Sequence, residues 1–406
     1  MLRDILNSTG LDTKTCAGLL GVQIHLFEEW VAGQKPIPES FVSTLSTVFG
    51  VTPDKLRATR KISSSELGDV TPAIWFRFRG SKFTSADREC VLLIRRVAHL
   101  VGQLEEATKN PAVGWHGLFE EIGRRVDRQA PPREQGRQAA RMLRESRQLN
   151  HGKTGIGGIF RGNIRSMGVL VIETPLPESQ IEGCSFYVGG LGVERPALFA
   201  NTHHSTWFRR NYVLMHELAH AIFDVESAAA AIDFLEHRSE DDLLEERADA
   251  FAQEALIPRE VLRHFIQTLG INLDVPTPRD LALLVAHTHV ELRTVLAAAF
   301  EAGFITADQY ARYIEYEIAS ELRRLSDHAL STDEYIKKIG PEVAAAWVGK
   351  RSTTIPSRNI LLPVPYIKSV LSAVEDFVIS DGKAAELLMI DRETFAERFG
   401  RPAEAI

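Results

Sequence analysis

Apolar positions along the chain change their period twice, and each change marks a region. Through the first sixty residues they recur at helical spacing in short runs broken by glycine and proline. Thr13 can cap a helix carrying Ala17, Leu19 and Leu20, which Gly21 ends. A second short helix has Ile24, Phe27 and Trp30 as its apolar positions and stops at Gly33, ahead of Pro36 and Pro38. A third runs from about Glu39 through Phe41, Leu45, Val48 and Phe49 to Gly50. Helix, tight turn, helix and a Gly-x-x-Pro-x-Pro exit outline a helix-turn-helix unit.

From about Ser63 to Leu149 the pattern stays helical, with loops near Asn110 to Trp115 and at Pro131-Pro132. Arg133, Arg137, Arg141 and Arg144 share one helix face, either a solvated surface or a contact for DNA or an acidic partner. Between Gly168 and Asn201 the period shortens. Gly168 to Glu173, Cys184 to Val188 and Ala197 to Ala200 are rich in branched and aromatic residues and read as three strands. After Pro258 helical spacing returns, with a compact two-helix stretch from Arg279 to Tyr313 and a longer amphipathic helix around Tyr310 to Leu325. The tail from Val370 to Gly400 contains another helix-turn-helix-like stretch, and no internal repeat stands out. Strands followed by helices indicate an α+β catalytic region in a predominantly helical chain, with all-α flanks.

One helix carries chemistry: His216-Glu217-Leu218-Ala219-His220 lies among Tyr212, Val213, Leu214, Met215, Ala221, Ile222 and Phe223. Two imidazoles at i and i+4 sit one turn apart on one side of a buried helix, within reach of one Zn²⁺ at ~2.0–2.1 Å. Glu217 follows the first histidine and can take a proton from a zinc-bound water and give it to the leaving amine. The plain structural alternative is a pair of core histidines, but unpaired imidazoles and a carboxylate in so apolar a helix would be costly.

A third ligand is expected from the stretch Leu244 to Ala252. Glu245 can ligate the metal, and Asp249, one turn later, can accept the other ring N–H of a ligand histidine. Glu246 is the alternative ligand. A metzincin arrangement would use Glu226 and needs a glycine at position 223, where this chain has Phe223. The helix is therefore expected to continue and carry Glu226 away, which makes the site gluzincin-like. Tyr212 is a candidate oxyanion donor, more simply read as core; His203 and His204 are weaker candidates, and His237 reads as surface.

Composition then narrows the class. The chain of 406 residues is 44% hydrophobic and 25% charged, with no run long enough for a bilayer, so a soluble protein of several domains is expected. A net charge of −7 argues against coating nucleic acid by bulk charge. Three scattered cysteines, Cys16, Cys90 and Cys184, make no disulfide framework and point to the cytoplasm.

The segments "GVLVIETPLPESQIEGCSFYV", "PALFAN", "FRRNYVLMHELAHAIF" and "EERADAFAQEALIP", from roughly Ala139 to Pro258, resemble the ImmA/IrrE family of metallo-endopeptidases. The family's HExxH falls on His216, Glu217 and His220, and its second segment on Glu245, Ala248, Asp249, Phe251 and Ala252, with aspartate where asparagine is common. "LLGV", "EEWVAGQKPIP" and "LSTVFGVTPDKL" resemble an XRE/Cro-like repressor domain, and Arg279 to Tyr313 is similar to the helix-turn-helix-like element that follows the peptidase in several members. The resemblance implies a zinc peptidase that cleaves a repressor-type protein and derepresses stress or mobile-element genes. The would-be recognition helix, Gln23 to Trp30, has no Arg or Lys and two acids, so the N-terminal domain is expected either to bind DNA weakly or to pair with a related repressor.

The resulting division is 1–62 XRE/Cro-like, 63–138 helical linker, 139–265 zinc metallopeptidase, 275–325 helix-turn-helix-like and 326–406 C-terminal helical. The expected sites are His216, His220 and Glu245 for Zn²⁺, Glu217 for catalysis and Asp249 behind the ligands. Expected partners are a repressor-type substrate, DNA through the N-terminal domain and a second copy in a homodimer, with no membrane. The competing reading is a transcription regulator whose zinc domain senses metal or a partner; an intact Glu217 favours the enzyme, because a sensor needs ligands but no base.

Overall fold

The computed structural model describes residues 2–49, 51, 53–57, 84–109, 115–146, 160–190, 193–203, 205–224, 230–234, 243–330, 356–357, 360–361 and 364–399. Five helices open the chain: α1 (Leu2–Thr9), α2 (Thr13–Leu20), α3 (Ile24–Val31), α4 (Glu39–Phe49) and α5 (Pro53–Arg57). Then come the long α6 (Ser85–Ala107), α7 (Trp115–Arg125), α8 (Pro132–Glu145) and α9 (Phe160–Ser166). Strands β1 (Leu170–Thr174), β2 (Ile181–Gly190) and β3 (Val193–Asn201) lead into α10 (Trp207–Phe223), β4 (Ala230–Phe234) and α11 (Leu243–Leu256). The remainder is α12 (Arg259–Leu269), α13 (Pro278–Thr288), α14 (Leu292–Glu301), α15 (Ala307–Tyr313), α16 (Ala319–Leu330), β5 (Pro356–Ser357), β6 (Ile360–Leu361), α17 (Val364–Glu375), α18 (Asp381–Leu387) and α19 (Arg392–Phe399).

The chain is mostly helical around a small mixed sheet of order β1-β3-β2-β4. β1 runs parallel to β3, while β2 is antiparallel to both β3 and β4. Strand alternation splits the sheet's side chains between two cores. On one face Ile172, Cys184, Phe186, Ala197 and Phe199 join the N-terminal helices, α6 and the helices α17 to α19. On the other, Val171, Leu198 and Ala200 join α8, α10, α11 and the helices α13 to α15. The sheet is thus a partition.

Buried α10 rests on β2 and β3, and α11 lies between α10 and α8. The α8–α11 seam is made of small residues: Ala139 and Ala140 are buried, as are Ala248, Ala252 and Ala255 opposite. At Gly136 a Cβ would lie 2.2 Å from the Arg247 carbonyl oxygen, so the two backbones meet there and only glycine fits.

Three expectations change. The amphipathic helix read across Tyr310 to Leu325 is two helices, α15 and α16, separated by the stretch Ile314 to Ile318. The sheet has a fourth strand, β4, whose short sequence Ala-Ala-Ile-Asp-Phe follows an alanine run and gives little period-2 signal. The arginine face of α8, still partly solvated, pairs within the chain, Arg133 and Arg137 with Glu301, Arg141 with Glu254 and Arg144 with the Ala255 carbonyl, so it is not left as a contact for DNA or an acidic partner. Among the described residues no single helix is long and apolar enough to cross a membrane.

Candidate metal centre

Thr206 caps α10 by accepting the Arg209 N–H, and nearly every residue from Asn211 to Ile222 is buried. His216 and His220 therefore emerge on one face of a helix enclosed in protein, 0% and 4% exposed. Glu245, in the first turn of α11, meets them. Its Oε2 is 3.0 Å from His216 Nε2, its Oε1 3.3 Å from His220 Nε2, and the two Nε2 atoms are 3.1 Å apart.

The far sides of both rings are also engaged. His216 Nδ1 lies 2.9 Å from Asp249 Oδ1, and His220 Nδ1 lies 2.8 Å from Asp224 Oδ2. A carboxylate at each Nδ1 favours a proton there, which leaves the Nε2 lone pairs facing one another and the Glu245 carboxylate. With the ring protons on Nδ1, these three donor atoms converge on one point and could hold a cation, whose binding would displace any proton on Nε2. Two imidazoles and a carboxylate suit a divalent metal such as zinc.

Electrostatics follows the same geometry. Burial alone would depress His220, but the carboxylates of Asp224 and Glu245 raise its pKa to about 9. Burial likewise works against charge on Glu245, yet its hydrogen bonds with His216 and His220 hold it well below the usual carboxylate range. The carboxylates are braced in turn. Arg247 Nη2 donates to Asp224 Oδ1 at 2.6 Å, with its guanidinium stacked on Phe223, while the Tyr212 hydroxyl donates to Asp249.

Glu217 is fully buried against β2. A Cβ on Gly183 would come within 3.0 Å of its Oε1 and 2.4 Å of Val213, so a bare backbone at 183 lets α10 sit this close to the strand. At the other end of α10 a buried ion network anchors the helix. Arg161 makes two bonds to Glu173 at 2.8 and 2.9 Å, and Arg210 a third at 3.2 Å; together they hold Glu173 down to about 2 against its burial. Arg209 grips Glu182 at 2.6 and 2.7 Å and Glu291 at 2.8 Å.

The structure thus brings together His216, His220 and Glu245, with Asp249 behind the first histidine. Glu246 is not in the cluster. His203 is exposed; His204, Glu226 and His237 lie outside the described residues. The helix expected to run past Phe223 ends there, because Asp224 turns back to His220 as its C-cap. Asp224 and Arg247 escaped the sequence reading, although an acid four residues after His220 was a readable signal.

Residues 164–312 match the IrrE N-terminal-like domain, Peptidase_M78. The match runs from the end of α9 through the strands, α10 and α11 into α15, so it contains the whole cluster. It supports a metallopeptidase of the ImmA/IrrE type, and with it a metal at this site. No curated protein and no solved structure matches the chain.

Proposed function

We propose that the chain is a zinc endopeptidase of gluzincin type that cuts a regulatory, repressor-type protein in the cytoplasm, controlling genes of a stress or mobile-element response. The observation that carries the catalytic part is the convergence of His216, His220 and Glu245, each histidine backed by its own carboxylate. Zinc held there would supply a Lewis acid and bring a water within reach of ionisation near pH ~7.

The chain's own residues do the rest. Glu217, one position after a ligand and enclosed between α10 and β2, receives a proton on its carboxylate from the attacking water and passes it to the departing amine. Asp249 and Asp224 fix the orientation of the two imidazoles, and Arg247 fixes Asp224. Tyr212, with its hydroxyl on Asp249, is a positioning residue for His216 in this reading, in place of an oxyanion donor. The regulatory part rests on the helical units around the peptidase. The unit α2–α3, with α4 behind it, is consistent with an XRE/Cro-like module that binds DNA or a related repressor.

Purified protein is expected to hold about one zinc per chain, lost in His216→Ala and in Glu245→Ala. Glu217→Gln is expected to keep the metal and lose cleavage of a purified repressor encoded beside it. If wild type and Glu217→Gln process the repressor alike, the enzymatic reading fails.

A further inference from the structure

One two-helix unit occurs three times. In the first copy Asp12 caps α2 through the Thr15 N–H at 2.7 Å, Leu19 and Leu20 are buried, and Gly21 turns the chain with φ 70°. The Val22 N–H then reaches the Ala17 carbonyl at 3.0 Å, and Phe27 is buried on α3. At the C-terminal end every feature returns at the same spacing. Ser380 caps α18 through the Lys383 N–H at 3.2 Å, Leu387 and Leu388 are buried, and Met389 turns the chain with φ 57°. There the Ile390 N–H reaches the Ala385 carbonyl at 3.0 Å, and Phe395 is buried on α19. The middle copy is α13 and α14. His289 makes the turn with φ 59°, Glu291 precedes the second helix and Val295 is buried on it. It also repeats the exit of the first copy, Gly33 and Gly303 both having φ 71°.

The middle copy shows what this unit takes hold of. Its second helix is covered, with Val295, Leu296, Ala298 and Ala299 buried. Two side chains of α10 seize the turn: Asn211 donates to the His289 carbonyl, and Arg209 donates to Glu291 at 2.8 Å. Here the unit docks on protein, through an arginine on the acid that starts its second helix.

In the C-terminal copy an acid holds that position as Asp391, which caps α19 by accepting the Thr394 N–H at 2.7 Å and hydroxyl at 2.9 Å, and the second helix faces outward, with Glu393, Ala396 and Glu397 exposed. Beside it Phe377 and Val378 project from the preceding turn, 81% and 44% exposed, adding an apolar contact point. Duplex DNA fits badly. Exposed carboxylates at 391, 393 and 397 repel phosphate, and Arg392 lies over Gly382, where a Cβ would be 2.8 Å from its Nη2.

We propose that the C-terminal copy, residues 380–399, is a docking head for the arginine-bearing face of a protein partner, held as α10 holds the middle copy. The surface goes beyond the peptidase reading and stands without it. The test titrates the full chain carrying Glu217→Gln with a labelled helical peptide that bears arginines along one face, and in parallel with a labelled DNA duplex. The peptide is expected to bind with an affinity that falls as salt rises. Paired Glu393→Lys and Glu397→Lys changes are expected to weaken it about tenfold. Lysines at two exposed positions of the first copy, Gln23→Lys with His25→Lys, leave it unchanged. Hydrogen exchange of the unreversed chain is expected to show slower amides in α18 and α19 when peptide is added, which does not depend on any variant folding. Equal binding by the reversed protein, unchanged exchange in α18 and α19, or preference for the duplex would each overturn the proposal.

Discussion

The two faces of the sheet differ in how most of their buried charge is met. On the metal-centre face three buried carboxylates have partners of opposite sign: Glu173 between Arg161 and Arg210, Glu182 on Arg209, Asp224 on Arg247. On the helical face, α6 buries Arg95 and Arg96, 8% and 4% exposed, and Nη1 of Arg95 with Nε and Nη1 of Arg96 meets no hydrogen-bond acceptor. Burying a guanidinium costs several kcal/mol, recovered only where geometry and hydrogen bonds are good. On the paired face these ion pairs join α10 and α11 to their neighbours and so help to orient the candidate ligands. The other face is held mainly by apolar packing, with Arg195 paired to Glu105 of α6 at 2.7 Å beside the two arginines that lack acceptors.

That contrast can be broken, and the largest effect is expected at Glu173. Glu173→Gln leaves Arg161 and Arg210 facing a neutral amide, and should destabilise the chain by about 3–5 kcal/mol in denaturant unfolding. A loss below one kcal/mol would make the paired face no more demanding than the other. Next comes Asp224→Ala, which removes the acceptor behind His220. Metal affinity, measured by competition with a chelator, should fall about 10- to 100-fold while folding persists, and no change would end the positioning role of Asp224.

A smaller effect comes from two histidines, one on each side. His99 and His289 are both pushed down to about 4, by burial first and then by neighbouring cations: Arg96 and Lys383 for His99, His287 and Arg161 for His289. As pH falls below the ordinary 6.5, the unfolded chain takes up protons that the folded one refuses, so stability should drop from there to about 4. Melting temperature against pH reads this directly; a flat profile across that window contradicts it, and His99→Gln should remove part of the slope. The smallest effect is the most telling. Arg96→Met should be neutral or stabilising by about 1 kcal/mol, since it replaces an unsatisfied buried cation with an apolar chain. Clear destabilisation would place Arg96 with the paired ions.

What could be read beforehand follows the same division. The spacing of His216 and His220, and that of Glu245 and Asp249, is local: one turn of helix puts both members of each pair on one side, so the cluster was legible. That α11 returns to α10 was guessed from chemistry alone. Asp224 stands at i+4 from His220 in the sequence, but its role depends on the helix ending at Phe223, which no glycine or proline there signals. The strands were found where branched residues cluster, but not at β4. The triple recurrence of the two-helix unit was hidden because its constant features are burial and a left-handed turn. Gly21, His289 and Met389 share a backbone conformation and no side-chain chemistry.

Gly136 sets a boundary. The matched domain begins at residue 164, yet α11, which carries Glu245, is clad along its outer side by α8, a helix some twenty residues upstream of that start. A chain trimmed to residues 164–312 would undress the alanine stripe of α11 and Phe251, and Arg247 would lose the backbone neighbour that Gly136 admits. Such a fragment would contain every donor atom of the cluster and still lack the wall against which its third donor is aligned. The smallest piece expected to fold around this cluster therefore begins at or before Pro132, well outside the matched stretch 164–312.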